Sequence, residues 1–545
     1  MELTHYGLLS ILPPLLTIVL AVVTKDVIVS LFLGILSGTL IAAGGNPYTA
    51  LINLSDLIAD TLADGWNIRI MLFTILLGLL VGLLAKSGAA YALGDWAGKK
   101  IKSRTGALIF TWFFGILIFF DDYFNSLTIG TCMRPLFDAK KISRAKLAYI
   151  LDSTAAPVCI IAPISGWVAF VIGTYKAMPE WQSLGVGELT FFLRTIPFNL
   201  YAIFAVFMVL FISITHKDFG PMARSEARAE KGLGLYDEEK YGVVVSQVES
   251  KAHTSNAKPI DFVIPILSVI VIALFFFPMV TWMGAVDGEA VKSVSQAMAE
   301  IPLGQAFNDT DSSKALMYAL IFSTCFSYVY MIARKLLNIT AAGEALLDGF
   351  RAMVPAAMIL TLAWSIGTII KTPRADGGVG LGLYVADVVV NGNFPMFLFP
   401  SVVFVLACII SFAAGTSWGT MGIMVPVALP IIVQLSKMAG LSPAATVNAT
   451  ALTIGVVLGG AVFGDHCSPI SDTTILSSTG AASPHLEHVA TQLPYALFVA
   501  ACALLGTIAG GLTWNPFVAL IVTAIPFVAG TLLLPTWFGP KKYGL

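Results

Sequence analysis

Charged residues are scarce in this chain: 31 Lys and Arg and 32 Asp and Glu among 545 residues, 12% in all, against 57% hydrophobic. So few polar side chains cannot clothe a water-soluble globule of this length, which excludes a soluble enzyme or binding module. Cysteine is scarce too. The six residues Cys132, Cys159, Cys325, Cys408, Cys467 and Cys502 are scattered and form no CxxC or other zinc-like pair, which argues against a disulfide framework or a metal cluster. No basic patch suited to nucleic acid stands out, and the net charge of −1 says nothing about partners. Met1 to Gly7 has neither the basic start nor the small-residue cleavage site of a secretory signal, so the first apolar run is expected to remain as an uncleaved helix.

What the chain does have is long apolar runs, at 7–23, 27–43, 67–85, 191–214, 260–284 and 491–513, with a mean hydropathy of +0.86. Most approach the roughly 20 residues that a helix needs to cross a bilayer core. Basic residues collect at Lys86–Arg104, Arg134–Lys146, Lys217–Lys258 and Arg334–Lys335, which places those connections in the cytoplasm. The alternate connections are acidic: 44–66 holds Asp56, Asp60 and Asp64 without Lys or Arg, and 285–313 holds Asp287, Glu289, Glu300, Asp309 and Asp311 against Lys292. These should face outward. The sequons at Asn308, Asn338 and Asn448 are too short a motif to carry weight.

An internal repeat follows. Leu62-Ala63-Asp64-Gly65-Trp66 opens one apolar run and Leu346-Leu347-Asp348-Gly349-Phe350 another of nearly equal length. Further on, 120–130 aligns with 412–422, and Pro163-Ile164-Ser165 with Pro469-Ile470-Ser471. The charge rule starts the first copy outside and the second inside, so the copies run in opposite directions, as in secondary transporters whose sites form where helices are interrupted. Residues 105–133 lie between two basic segments assigned to the same side, yet are too few for two crossings, which calls for a re-entrant hairpin or a broken helix. Gly415–Gly419 and Gly459–Pro469 interrupt the second copy, and irregular backbone at membrane depth belongs inside protein or beside a watery cavity. The expectation is an all-α polytopic membrane protein with two inverted-topology repeats. Its segments are N-terminal helices 1–60, a first repeat 61–214, a cytoplasmic linker 215–259, connecting helices 260–345, a second repeat 346–535 and a tail 536–545.

Acids stand where they should not. Asp121 and Asp122 follow an apolar run, Asp152 lies within another, and Asp465 and Asp472 flank His466-Cys467-Ser468-Pro469-Ile470-Ser471. A carboxylate at such depth costs several kcal/mol unless paired or hydrated, and its escape is to exchange a proton for a cation. Thr416, Ser417, Thr420, Ser468, Ser471, Thr473 and Thr474, with carbonyls freed at the breaks, are hard oxygens suited to an alkali cation; Asn125 and Thr154 join them as candidate ligands. Each has a plainer reading. Asp121 or Asp122 could cap a helix or pair with Arg134, Ser and Thr often bond their own backbone, His466 reads as a packed histidine, and His485 with His488 reads as part of a solvated loop.

The segments FFDDYFNSLTIG (119–130), GTSWGTMGIMVP (415–426) and FGDHCSPISDTT (463–474) resemble the NhaC-type sodium/proton antiporter family. The resemblance spans about 60–535. It implies an ion-transporter-type fold in the inner membrane, with a hairpin from each repeat in a moving unit on a scaffold that often dimerises. The first function it implies is alternating-access exchange of sodium or lithium for protons, with no cofactor beyond the transported ions. The second is a sodium- or proton-coupled carrier of a small organic solute such as an amino acid or carboxylate, for which Tyr123, Asn125, Trp167, Arg374 and Trp418 would line the pocket. An enzyme finds little support: Asp465-His466-Cys467 are adjacent, which seldom lets nucleophile and base converge, and no HExxH or GxSxG accompanies them.

Overall fold

The computed structural model describes residues 5–24, 27–119, 122–163, 165–176, 178–242, 256–288, 291–308, 310–381, 384, 395–469 and 471–539. Every regular element among them is helical, and eight helices are long and apolar enough to cross a membrane. The first half holds α1 (Leu12–Thr24), α2 (Val27–Ala42), α3 (Pro47–Ala63), α4 (Gly65–Ser87), α5 (Ala89–Lys100), α6 (Arg104–Leu117), α7 (Asp122–Ala139), α8 (Arg144–Thr154), α9 (Gly166–Lys176) and α10 (Leu200–Thr215). After α11 (Gly220–Glu230) come α12 (Ile260–Asp287), α13 (Ser312–Ala333), α14 (Ile339–Lys371), α15 (Phe399–Ala414), α16 (Ser417–Met438), α17 (Pro443–Cys467), α18 (Asp472–Ala481), α19 (His485–Thr513) and α20 (Pro516–Phe538).

Helices α4 and α14 cross closely and run antiparallel. Gly78 faces Gly349 and Gly82 faces Ala345, while Lys86 at the end of α4 pairs with Glu344 near the start of α14 at 2.6 Å. The basic segments after α4 and before α14 therefore share one end of the molecule. At the opposite end Arg69 pairs with Asp311 at 3.2 Å and Lys176 with Glu188, where the acidic 285–313 connection returns. The Asp-Gly pairs that open the two sequence copies nonetheless differ in role. Asp64 caps α4, accepting from the Trp66 and Asn67 amides at 2.9 Å, whereas Asp348 lies inside α14, whose cap is Asn338.

Four interruptions define the interior. The 14 residues of α6 and the 16 of α15 reach only about 21 and 24 Å, short of the roughly 30 Å hydrocarbon core, before the chain doubles back into α7 and α16. The turn before α16 is made by Gly415, with φ of 68°, and Thr416. Helix α8 ends at Thr154, and a single turn at Ala156–Cys159 precedes α9; α17 ends at Cys467 and α18 starts at Asp472. Almost all of α17 is buried, with Gly460 and Gly464 against the backbone of α15, while α20 turns Phe517, Ile521, Ile525 and Leu532 outward as a lipid-facing stripe. Helices α7 and α18 lie alongside each other: Gly130 rests on the Gly480 backbone, and the Ser477 hydroxyl donates to Ser126 at 3.1 Å.

The segment expected to be a plain linker folds in its first part. Helix α11 docks beneath α8 and α19, its buried Glu226 accepting from the Ser143 amide at 2.9 Å and from Arg104 at 2.5 Å. Its Ser225 donates to Glu487 at 2.8 Å. The reason is burial of Met222, Ala223 and Ala229 against the ends of membrane helices, with the Glu226 carboxylate paired to Arg104, a tertiary effect that charge composition conceals.

Candidate functional site

The interruptions meet. Asp465 sits in the last turn of α17, the negative end of a helix dipole, which favours a cation. Its Oδ2 accepts from the Ser417 hydroxyl at 2.7 Å and its Oδ1 from Ser471, which in turn lies 2.9 Å from the Thr473 hydroxyl. The Asp465 carbonyl accepts from Thr474 at 3.1 Å. One carboxylate at the α17 break is thus held by hydroxyls from the start of α16 and from the approach to α18, all buried. These hard oxygens form a cradle of the kind that suits a small dehydrated cation.

Asp122 opens α7 at the tip of the first hairpin, where the Trp167 indole donates to its Oδ1 at 3.1 Å. Trp167 lies 5.2 Å, ring to ring, from Trp418, the neighbour of Ser417, so the hairpin tips are joined by aromatic packing. The Asn125 amide spans the Gly115, Ile118 and Thr154 carbonyls at 2.8–3.1 Å, tying hairpin tip to helix break.

Other expected ligands make bonds of their own. The Thr154 and Thr420 hydroxyls donate to the carbonyls of Ile150 (2.7 Å) and Thr416 (2.9 Å) in the turns before them, Thr416 caps α16, and Ser468 caps α17. Arg374, expected to line the pocket, stacks over Tyr6 at 4.3 Å. Asp121 lies outside the described residues; Asp472 is the first residue of α18 and Tyr123 the second of α7.

A second buried network surrounds Asp152. Its Oδ2 accepts from Gln492 at 2.8 Å and lies 3.1 Å from His488 Nε2, both residues of α19. Gln492 also donates to the His466 carbonyl, and the His466 ring bonds Ser153 at 2.8 Å and Tyr201 at 2.7 Å. His466 is packed, as expected, but His488 is not in a solvated loop: it is wholly buried in the second turn of α19. Pro484 starts that helix where a Ser-Pro sequence reads as a turn. Gln492 and Tyr201 carried no sequence signal of their own, although His488, Gln492 and Tyr495 stand at i, i+4 and i+7, one face of a helix. At the end of the network next to α11, Lys146 pairs with Asp218, both buried, and Tyr495 donates to Asp218 at 2.7 Å.

Interrupted helices converging on buried carboxylates, in a chain of many membrane-spanning helices, define a multi-pass membrane transporter. A model of the Na+/H+ antiporter family matches residues 158–512, and the chain belongs to that family. It is 35% identical over 532 residues to an uncharacterized protein of Haemophilus influenzae, covering 95% of this chain and 94% of that one. It is 27% identical over 205 residues to an uncharacterized Na(+)/H(+) antiporter of the same organism, covering 38% and 39%. It is also 30% identical over 150 residues to the malate-2H(+)/Na(+)-lactate antiporter of Bacillus subtilis, covering 28% of each chain.

Proposed function

We propose that this protein exchanges sodium or lithium for protons across the inner membrane by alternating access, with its halves arranged as inverted repeats. The observation that carries this reading is the cradle at Asp465: one buried carboxylate, the hydroxyls of Ser417 and Ser471, and the negative end of α17. An ionised carboxylate there asks for a cation, and an empty site at membrane depth is relieved by a proton, so the two compete. Asp122, held by Trp167 at the other hairpin tip, supplies a further acid close to the same convergence. The antiparallel course of α4 and α14 supports the inversion of the halves.

The test uses vesicles with a trapped pH dye and an acidic interior. Sodium or lithium alone should collapse the gradient. If it persists until an amino acid or a carboxylate such as malate or lactate is added, the cargo is an organic solute, and the aromatic pair Trp167 and Trp418 becomes the pocket to probe.

A further inference from the structure

The Asp152 network is built differently from the Asp465 cradle. Asp152, His488 and Gln492 are wholly buried, and the carboxylate's side-chain partners among the described residues are His488 and Gln492, with no lysine or arginine. For Nε2 of a neutral His488 to bond the carboxylate it must carry the ring's one hydrogen, which leaves Nδ1 a bare acceptor. Both amide hydrogens of Gln492 are spent, on Asp152 and on the His466 carbonyl. Three acceptors are then left with nothing to accept: His488 Nδ1, Asp152 Oδ1 and Gln492 Oε1. A buried cluster with a net negative charge and every hydrogen used is short of one positive hydrogen, and a buried polar atom without a partner costs free energy.

We propose that Asp152 and His488 form a proton site separate from the cation site at Asp465, with His488 as the group that takes the proton. Protonation at Nδ1 makes the pair an imidazolium and a carboxylate and cancels the buried net charge. No covalent bond other than N–H forms or breaks. The ionisable groups that interact with the pair are His466 and Cys467 from α17 and Tyr201 from α10; the helices packed around it also carry Tyr149 and Lys146 on α8, Asp465 on α17, Cys408 on α15, and Glu487 and Tyr495 on α19 itself. Lys146 is taken up by Asp218, so it does not neutralise Asp152.

The two sites are tied twice. Gln492 bonds the carbonyl of His466, the residue after Asp465, and the His466 ring bonds Ser153, the residue after Asp152. A shift in the end of α17 as the cation leaves therefore moves the amide that supports Asp152, which gives exchange a physical link between distinct sites. This inference rests on the exchange reading above.

Two fluxes of the reconstituted full chain separate the ideas: labelled sodium exchanging for sodium at equal pH, which needs only the cation site, and sodium-driven proton flux. His488→Gln should keep sodium counterflow within roughly twofold while proton flux falls at least about tenfold, in line with loss of a proton-transferring group. Asp152→Asn, nearly the same shape as the native residue, should show the same split and stands in if the histidine variant does not fold. Wild-type proton flux in both variants would overturn the inference and leave the exchange reading intact. Counterflow lost in step with proton flux, in protein that still elutes as one peak, would also overturn it, making the network part of the cation site. Wild-type vesicles in which no alkali cation moves protons would bring down both readings.

Discussion

The Ser417 hydroxyl donates to Asp465 Oδ2 at 2.7 Å across 48 residues of sequence, joining the tip of one hairpin to the break in the following helix. Asp465→Asn removes the charge at nearly constant shape and should abolish both sodium counterflow and sodium-driven proton flux. Ser417→Ala and Ser471→Ala each delete one hydroxyl on a charged group, a loss of about 1.5–3 kcal/mol, so the KM for sodium should rise roughly tenfold or more. An unchanged KM in both would remove these hydroxyls from the cation site.

The crossing of α4 and α14 depends on the absence of side chains. A Cβ on Gly82 would stand 2.0 Å from the Ala345 carbonyl oxygen, and one on Gly349 2.0 Å from that of Gly78. Gly82→Val should sharply lower the yield of folded protein in detergent, whereas Gly98→Ala, where a Cβ meets nothing within 4 Å, should leave it unchanged. Equal yields for the two variants would contradict the close crossing.

The buried Lys146–Asp218 pair should behave as a unit. Lys146→Met strands a carboxylate supported by Tyr495, at a cost of about 3–5 kcal/mol, while Lys146→Met with Asp218→Leu should recover most of that loss. Thermal unfolding in detergent reads this directly, and strictly additive losses would show that the residues are uncoupled.

Asp311 lies outside the membrane-spanning helices. Burial opposes its ionisation, but the Ser313 hydroxyl, Lys176 and Arg69 outweigh that and hold its carboxyl below the usual range. With a folded value below the unfolded one, its stabilisation is complete above about pH 4 and is lost as the pH falls through the folded value. Because the pair is partly exposed, Asp311→Asn should cost no more than about 1 kcal/mol at neutral pH, and the wild-type advantage should vanish in acid. A difference that persists undiminished at pH 2 would argue against an ionic origin.

The breaks were legible because they follow from length and from residue chemistry: 105–133 is too short for two crossings, and Gly415 and the Ser-Pro segment after Cys467 cannot continue a helix. The cradle followed from them, since Asp465, Ser417 and Ser471 all lie at breaks. The Asp152 network was half visible. The acid showed through its apolar surroundings, but His488 and Gln492 lie in a segment whose start reads as a loop, and only tertiary contact brings α19 against α8. Docking of α11 was hidden for the same reason: nothing local distinguishes Glu226 or Asp218 from solvated charges until Arg104 and Lys146 arrive from elsewhere in the chain.

The backbone contact of Gly130 with Gly480, fastened by Ser126 and Ser477, bears on how many moving parts the protein has. A gate that parted α7 from α18 would have to peel main chain from main chain and strand a buried hydroxyl pair. Helices from the two halves of the chain are thereby fastened to each other, so the alternating-access movement proposed above would have to run along a different seam.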